Sequence, residues 1–191
     1  MELEKNLGVR GAAGDPWYVV NVPTGKESKM CELIERVAPE DAVSECFCPR
    51  YATQIKRAGE WIDVQKTLLP GYVVVATGRV GALKRCLREV PEYARVLGMG
   101  ESLVPLASDE RALIEAFTHE GDRCVPMSTG VMEGDRVTVV SGPLKGREAL
   151  IKSVNRHRSI AYVELQICGR TVTTKVGLGI ISADSHNSPL A

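Results

Sequence analysis

No apolar run in this 191-residue chain approaches the ~20 residues that a bilayer-spanning helix needs. The first fourteen residues carry Glu2, Glu4, Lys5 and Arg10 and no apolar core of the kind a secretory signal has. They are expected to be a disordered lead-in, and the chain is expected to be cytoplasmic with no membrane partner. Net charge is absent as well, because 24 Lys and Arg balance 24 Asp and Glu. That balance argues against a surface uniformly coated in nucleic-acid-binding charge. Histidine is scarce, at 119, 157 and 186 only. No phosphate loop, Gly-x-Ser-x-Gly or His-Glu-x-x-His occurs. Cys124 follows His119 by five residues, but nothing orients a thiolate and imidazole into a pair. No enzymatic activity, catalytic residue or cofactor is expected. The six cysteines read as reduced cytoplasmic thiols. Cys46-Phe47-Cys48 has the wrong spacing for a zinc knuckle, so no metal is expected either.

What charge there is lies unevenly. Residues 133–182 hold eight cations (136, 145, 147, 152, 156, 158, 170 and 175) against four acids (133, 135, 148 and 164). The remainder of the chain is net acidic. Two segments of opposite sign suggest two domains with different partners.

The patterning agrees. Residues 16–23 read as a strand with proline at both ends. Thr24 looks like an N-cap, with Glu27 completing a capping box, for a helix over about 25–38 that Pro39 stops. Met30, Leu33, Ile34 and Val37 give this helix one apolar face. Residues 43–49 read as a strand. Thr53–Arg57 and Trp61–Lys66 flank a three-residue connection, Ala58-Gly59-Glu60, and read as a hairpin. Tyr72–Ala76 is a continuous apolar run that suits a central strand. Short helices are expected near 79–89 and over 109–118, the second capped by Ser108, with a strand or loop at Tyr93–Leu97. Residues 119–132 have no periodicity and are a linker candidate. Beyond them five strands are expected: Arg136–Val140, Arg147–Asn155, Ser159–Ile167, Arg170–Lys175 and Gly179–Ile181. The expected division is therefore 1–14 lead-in, 15–118 first domain, 119–132 linker, 133–182 second domain and 183–191 tail.

The order and spacing of several short motifs resemble the NusG family of transcription elongation factors. They are Trp17-Tyr18-Val19-Val20, Thr24-Gly25-Lys26-Glu27, Leu69-Pro70-Gly71-Tyr72-Val73-Val74, Val90-Pro91, and the turn Val139-Val140-Ser141-Gly142-Pro143-Leu144-Lys145-Gly146. The resemblance covers about residues 16–182. It implies an α+β chain, with an N-terminal antiparallel sheet and flanking helices (the NGN domain), a linker, and a small five-stranded SH3-like β-barrel (the KOW domain). It further implies that the NGN domain sits on the clamp helices of RNA polymerase near upstream DNA or nascent RNA; nothing in the sequence demands more than a monomer. The KOW domain would recruit a second partner, a ribosomal protein among the candidates. Some members are general factors and others are operon-specific antiterminators loaded at a nucleic-acid signal. Thr24–Glu27 and Arg57-Ala58-Gly59-Glu60-Trp61 look like the LoaP branch of the second kind.

Two positions depart from the family. Cys168-Gly169-Arg170 stands where the general factor has Phe-Gly-Arg, so the aromatic side chain of that contact surface is missing. Leu68-Leu69 stands where Phe commonly precedes Pro-Gly-Tyr.

The resemblance nominates Asn21, Leu69, Pro70 and Tyr72 as polymerase-binding, the last three as part of an exposed apolar patch rather than a simple core turn. Lys56, Arg57, Trp61 and Lys66 on the hairpin are either a solvated ribbon capped by Trp61 or a nucleic-acid-reading tip, in which cations neutralise phosphate and the indole stacks on an unpaired base. Lys84, Arg85 and Arg88 are either a polar helix face or a phosphate track. Lys145, Arg147, Arg156, Arg158 and Arg170 are either solubility charge or a basic rim for RNA or an acidic protein, with the loops converging at one end of the barrel.

The reading is a transcription elongation factor that suppresses pausing and termination, and an operon-specific antiterminator in particular. The alternatives are a general NusG-type factor and, in another class, a ribosome-associated KOW RNA-binding protein. A helical resting form of 133–182 is disfavoured by the β-branched residues at 137–140 and 171–174.

Overall fold

A computed structural model describes residues 14–39, 41–91, 94–99, 102–134 and 136–181. The expected lead-in up to residue 13, the tail over 183–191 and Tyr93 lie outside the described residues. In chain order the elements are β1 (Trp17–Asn21), α1 (Glu27–Val37), β2 (Glu45–Phe47), β3 (Arg50–Arg57), β4 (Glu60–Thr67), β5 (Tyr72–Ala76), α2 (Val80–Cys86), β6 (Arg95–Val96), β7 (Gly98–Met99), β8 (Ser102–Leu103), α3 (Ser108–Glu115), β9 (Cys124–Val125), β10 (Ser128–Glu133), β11 (Arg136–Ser141), β12 (Ile151–Asn155), β13 (Ile160–Ile167) and β14 (Arg170–Ile181). None of the described helices is long and apolar enough to cross a membrane. The chain divides into two compact units, residues 1–48 with 70–107, and residues 49–69 with 108–191.

The first unit is built on an antiparallel sheet in the order β2-β5-β1-β6. β1 and β5 pair in full register from Trp17↔Ala76 to Asn21↔Tyr72. Both strands are apolar at nearly every position, and both of their faces are buried, as befits central strands. Tyr18, Val20, Val73 and Val75 form one core with Met30 and Ile34 of α1 and Leu83 of α2. On the opposite face Trp17 meets Phe47 edge to face, ring centres 5.1 Å apart. α1 ends where expected. Ala38 is extended, φ −73° and ψ 138°, the conformation that the following proline demands.

The start of α1 differs from expectation. The helix begins at Glu27, its N-cap position is Lys26, and no side chain caps it. Thr24 and Glu27 do not form a capping box, because the Glu27 carboxylate is used elsewhere. α2 is also shorter than 79–89, which leaves Arg88 in the turn that follows.

The second unit holds a curled five-stranded sheet in the order β11-β10-β14-β13-β12 and a three-stranded sheet in the order β4-β3-β9. Five strands were expected, with a different membership. Arg170–Ile181 is one twelve-residue strand, so the expected fourth and fifth strands are continuous. The remaining strand is β10, inside the segment read as a linker. It has no apolar alternation to betray it. Parallel pairing with β14 (Ser128↔Leu178 to Val131↔Ile181) and antiparallel pairing with β11 hold it instead.

The hairpin β3–β4 is fixed against β14 within this unit. Where β3 crosses β14, a Cβ on Gly177 would lie 2.0 Å from the Ala52 carbonyl oxygen, so only glycine permits the approach. Thr53, 1% exposed, donates its hydroxyl to the Ser159 carbonyl at 2.9 Å. The Thr174 hydroxyl donates to the Leu68 carbonyl at the other end of the hairpin.

Candidate nucleic-acid interface

In the first unit Gly71 is the anchor of the Pro70-Gly71-Tyr72 corner. Its N–H donates to Glu27 Oε1 at 2.8 Å, and its carbonyl accepts from Val22 N–H at 2.9 Å and Asn21 Nδ2 at 3.1 Å. Burial raises the Glu27 carboxyl's pKa, but backbone N–H groups of Gly71, Glu27 and Gly25 outweigh it and leave the group below its usual value. The half-buried Asn21 side chain is thus engaged in fixing the corner. Pro70 is exposed and Tyr72 half-buried. Leu69 differs from the expected exposed patch. It is 1% exposed, the normal fate of a large aliphatic side chain. Lys84 and Arg85 on α2, and Arg88 after it, are all exposed.

In the second unit the hairpin closes through a two-residue turn, not three. Ala58 (φ 50°) and Gly59 (φ 90°) both take the left-handed conformation that a two-residue hairpin turn requires. Lys56 stands opposite Trp61, and Arg57 opposite Glu60. The pleat therefore splits the four nominated residues. Lys56 and Trp61 share a face with Gln54 and Asp63, which hydrogen-bond each other at 2.9 Å. Arg57 and Lys66 lie on the other face, with Thr53 and Ile62. Lys56, Arg57 and Lys66 are exposed, and Trp61, at 48% exposure, does not cap the sheet. An indole this open is informative because tryptophan is highly buried on average.

The barrel's cations do not converge at one end. The loop with Lys145 and Arg147 precedes β12, and the turn Arg156-His157-Arg158 follows it, so the two lie at opposite ends of that strand. Arg170 opens β14 after the turn that closes β13, far from the Arg156–Arg158 end. Lys145, Arg156, Arg158 and Arg170 are exposed. Arg147 is half-buried and engaged: its guanidinium sits 5.4 Å over the Phe117 ring and donates to the Pro143 carbonyl at 3.2 Å.

The Arg156–Arg158 turn has a rigid mount. The Asn155 side chain accepts the Arg158 N–H at 3.1 Å, and Ser159 closes the turn in the left-handed region, φ 49°. The Ser159 carbonyl then accepts both Leu178 N–H and the Thr53 hydroxyl, each at 2.9 Å. Sequence reasoning did not nominate Thr53, Ser159 or Gly177. Gly177 stands between the expected strands Arg170–Lys175 and Gly179–Ile181, so it reads there as part of a turn.

A family model described as "Transcription termination factor nusG" matches residues 15–115, more than half of the chain. The chain belongs to the NusG family. A second model, the KOW motif, matches residues 133–164. Among curated relatives, the "Transcription termination/antitermination protein NusG" of Rickettsia prowazekii is 23% identical over 160 residues, covering 81% of this chain and 82% of the relative. The protein of that name from Thermus thermophilus is 26% identical over 166 residues, covering 81% and 90%. A solved structure of Thermotoga maritima NusG matches with a TM-score of 0.53 at 26% identity, over 88% of this chain and 96% of that one. NusG-family chains are non-enzymatic transcription factors, and this one is a NusG-like termination/antitermination factor. The NGN and KOW assignments agree with the mixed α/β first unit and the curled five-stranded sheet.

Proposed function

We propose that this NusG-family chain is an operon-specific processive antiterminator, which binds RNA polymerase and is recruited by a nucleic-acid element. The observation that carries the recruitment is the hairpin tip, where an exposed Trp61 stands opposite Lys56. An aromatic stacking platform beside phosphate-neutralising cations is what single-stranded nucleic acid requires.

The Pro70–Tyr72 corner is the proposed seat for the polymerase clamp helices. Asn21 and Glu27 hold it in one shape, with Pro70 exposed and Tyr72 half-buried. Residues 15–48 with 70–107 are assigned to polymerase and the curled sheet of β10–β14 to a second partner, with Lys84, Arg85 and Arg88 as a phosphate track. Bridging polymerase elements lowers pausing because the bridge binds the closed state better than the opened one. No covalent chemistry is involved.

The two curated relatives described above, each named a transcription termination/antitermination protein NusG, favour a second reading as a general elongation factor. An electrophoretic binding assay separates the two. The chain is titrated against stem-loop RNAs from the leaders of its neighbouring genes, with and without polymerase, at two salt concentrations. Tight, sequence-dependent binding without polymerase supports the targeted factor. Binding only with polymerase, to any transcript, supports the general one.

A further inference from the structure

The hairpin and the Arg156–Arg158 turn are distant in sequence but joined in the structure. Thr53 Oγ1 donates to the carbonyl of Ser159, the residue that closes the turn. β3 also crosses β14 at Gly177 with no room for a side chain. Arg57 lies on the same face of β3 as Thr53, four residues on, or about 13 Å along the strand.

The two elements differ in what they bring. Residues 50–67 carry Arg50, Lys56, Arg57 and Lys66 against Glu60 and Asp63, a modest surplus with one exposed indole. Residues 151–160 carry the exposed Arg156, His157 and Arg158 with no acid and no indole, while Lys152 is paired with Glu164 at 2.9 Å. Together they provide both the charge and the stacking face.

We propose that hairpin and turn form one RNA-binding surface, fixed by the Thr53–Ser159 bond and the Gly177 crossing. Arg57, Arg156 and Arg158 hold the phosphate backbone of a stem-loop, and Trp61, on the other face of the narrow ribbon, receives an unpaired base from its loop. The surface is assigned to a single-stranded loop because an exposed indole stacks on an unstacked base, which a paired duplex does not offer, and the comparison with DNA of the same sequence tests the choice of RNA. The charge favours a polyanion, since Glu60 is the one acid on the Thr53 face of the hairpin. Thr53 and Gly177 are positioning residues that contact no RNA. This inference rests on the recruitment proposed above and adds the site that performs it.

The test uses the full chain and fluorescein-labelled stem-loop RNAs from the leaders of its neighbouring genes. Their fully paired counterparts and the same sequences as DNA serve as comparisons. Arg156→Ala with Arg158→Ala is expected to weaken stem-loop binding about tenfold and to lower the log-salt slope by roughly 1.4. Trp61→Ala is expected to weaken it about tenfold at an unchanged slope. Thr53→Val keeps every charge and is expected to cost about threefold in affinity, and Gly177→Val about tenfold. Thermal melts check that each variant is folded, and Thr53→Val carries the positioning test if Gly177→Val does not fold.

Loss of stem-loop binding in Trp61→Ala with full binding in the Arg156/Arg158 variant would overturn the joint surface and leave the recruitment standing. Full binding in both positioning variants would overturn the claim that one fixed body reads the RNA. Equal binding to duplex, DNA and stem-loop by the unaltered chain would defeat the recruitment itself, and this inference with it. RNA affinity unchanged in every variant, with activity lost only when polymerase is present, would assign the surface to a protein and overturn the inference.

Discussion

The Glu27 carboxylate accepts the backbone N–H of Gly71 at 2.8 Å, across 44 residues of sequence. The first residue of α1 thereby holds the Pro70–Tyr72 corner, and the Asn21 amide holds the same glycine from its carbonyl side. A buried carboxylate needs such a partner. Its charge is stabilised by backbone donors, and the donor it satisfies would otherwise be an unpaired buried N–H.

Glu27→Gln replaces a charge-assisted hydrogen bond with a neutral one and is expected to cost about 1 kcal/mol at neutral pH. The folded carboxyl lies below its usual range, so its contribution is full above the ordinary glutamate value of about 4.3 and is lost as pH falls through the lower folded value. Urea titrations at descending pH are expected to show the gap between wild type and variant closing only on that acidic side. A constant gap would show that the charge contributes nothing.

Gly71→Ala is expected to destabilise by about 1–2 kcal/mol. Gly71 has φ +82°, and an added Cβ would meet Thr24 Oγ1 at 3.0 Å. Adding Thr24→Ala removes the contact but not the backbone strain, so chemical denaturation of the double variant is expected to show partial recovery.

Ala58 and Cys168 both sit in the left-handed region, at φ 50°, as the first residue of a two-residue hairpin turn. Ala58→Asn is expected to stabilise by about 0.5–1 kcal/mol, because Asn tolerates that conformation and Ala58 is exposed. Cys168→Asn is not expected to gain, because it places a polar amide where Cys168 is buried. Thermal melts of the two variants check the contrast.

Trp61→Ala is expected to change stability by less than about 1 kcal/mol, against about 3–5 kcal/mol for the buried Trp17→Ala. Equal losses in a denaturation experiment would mean that Trp61 is a packing residue and not a recognition residue.

The central strands and α1 were legible in the sequence, because the run Tyr72–Ala76 and the spacing of Met30, Leu33, Ile34 and Val37 follow from burial, which acts locally on the pattern. β10 was not legible, because its partners on both sides, and not its own alternation, make it a strand. Glu27 was misread for a similar reason. A capping box satisfies local rules, yet the N–H that takes the carboxylate comes from Gly71. The hairpin cations were found as a set, but the pleat places Lys56 with Trp61 and Arg57 with Lys66. The barrel cations were found too, but the position of β12 between their loops puts them at opposite ends. The clamp of Thr53, Ser159 and Gly177 depends wholly on tertiary contact.

The most direct test of the account is a single-round transcription assay through an intrinsic terminator. One template carries the leader stem-loop that this chain binds most tightly, and a matched template carries it with a scrambled loop. The account predicts readthrough that rises with added protein on the first template alone and falls back with Trp61→Ala. Equal readthrough on both templates would contradict it and make the chain a general elongation factor.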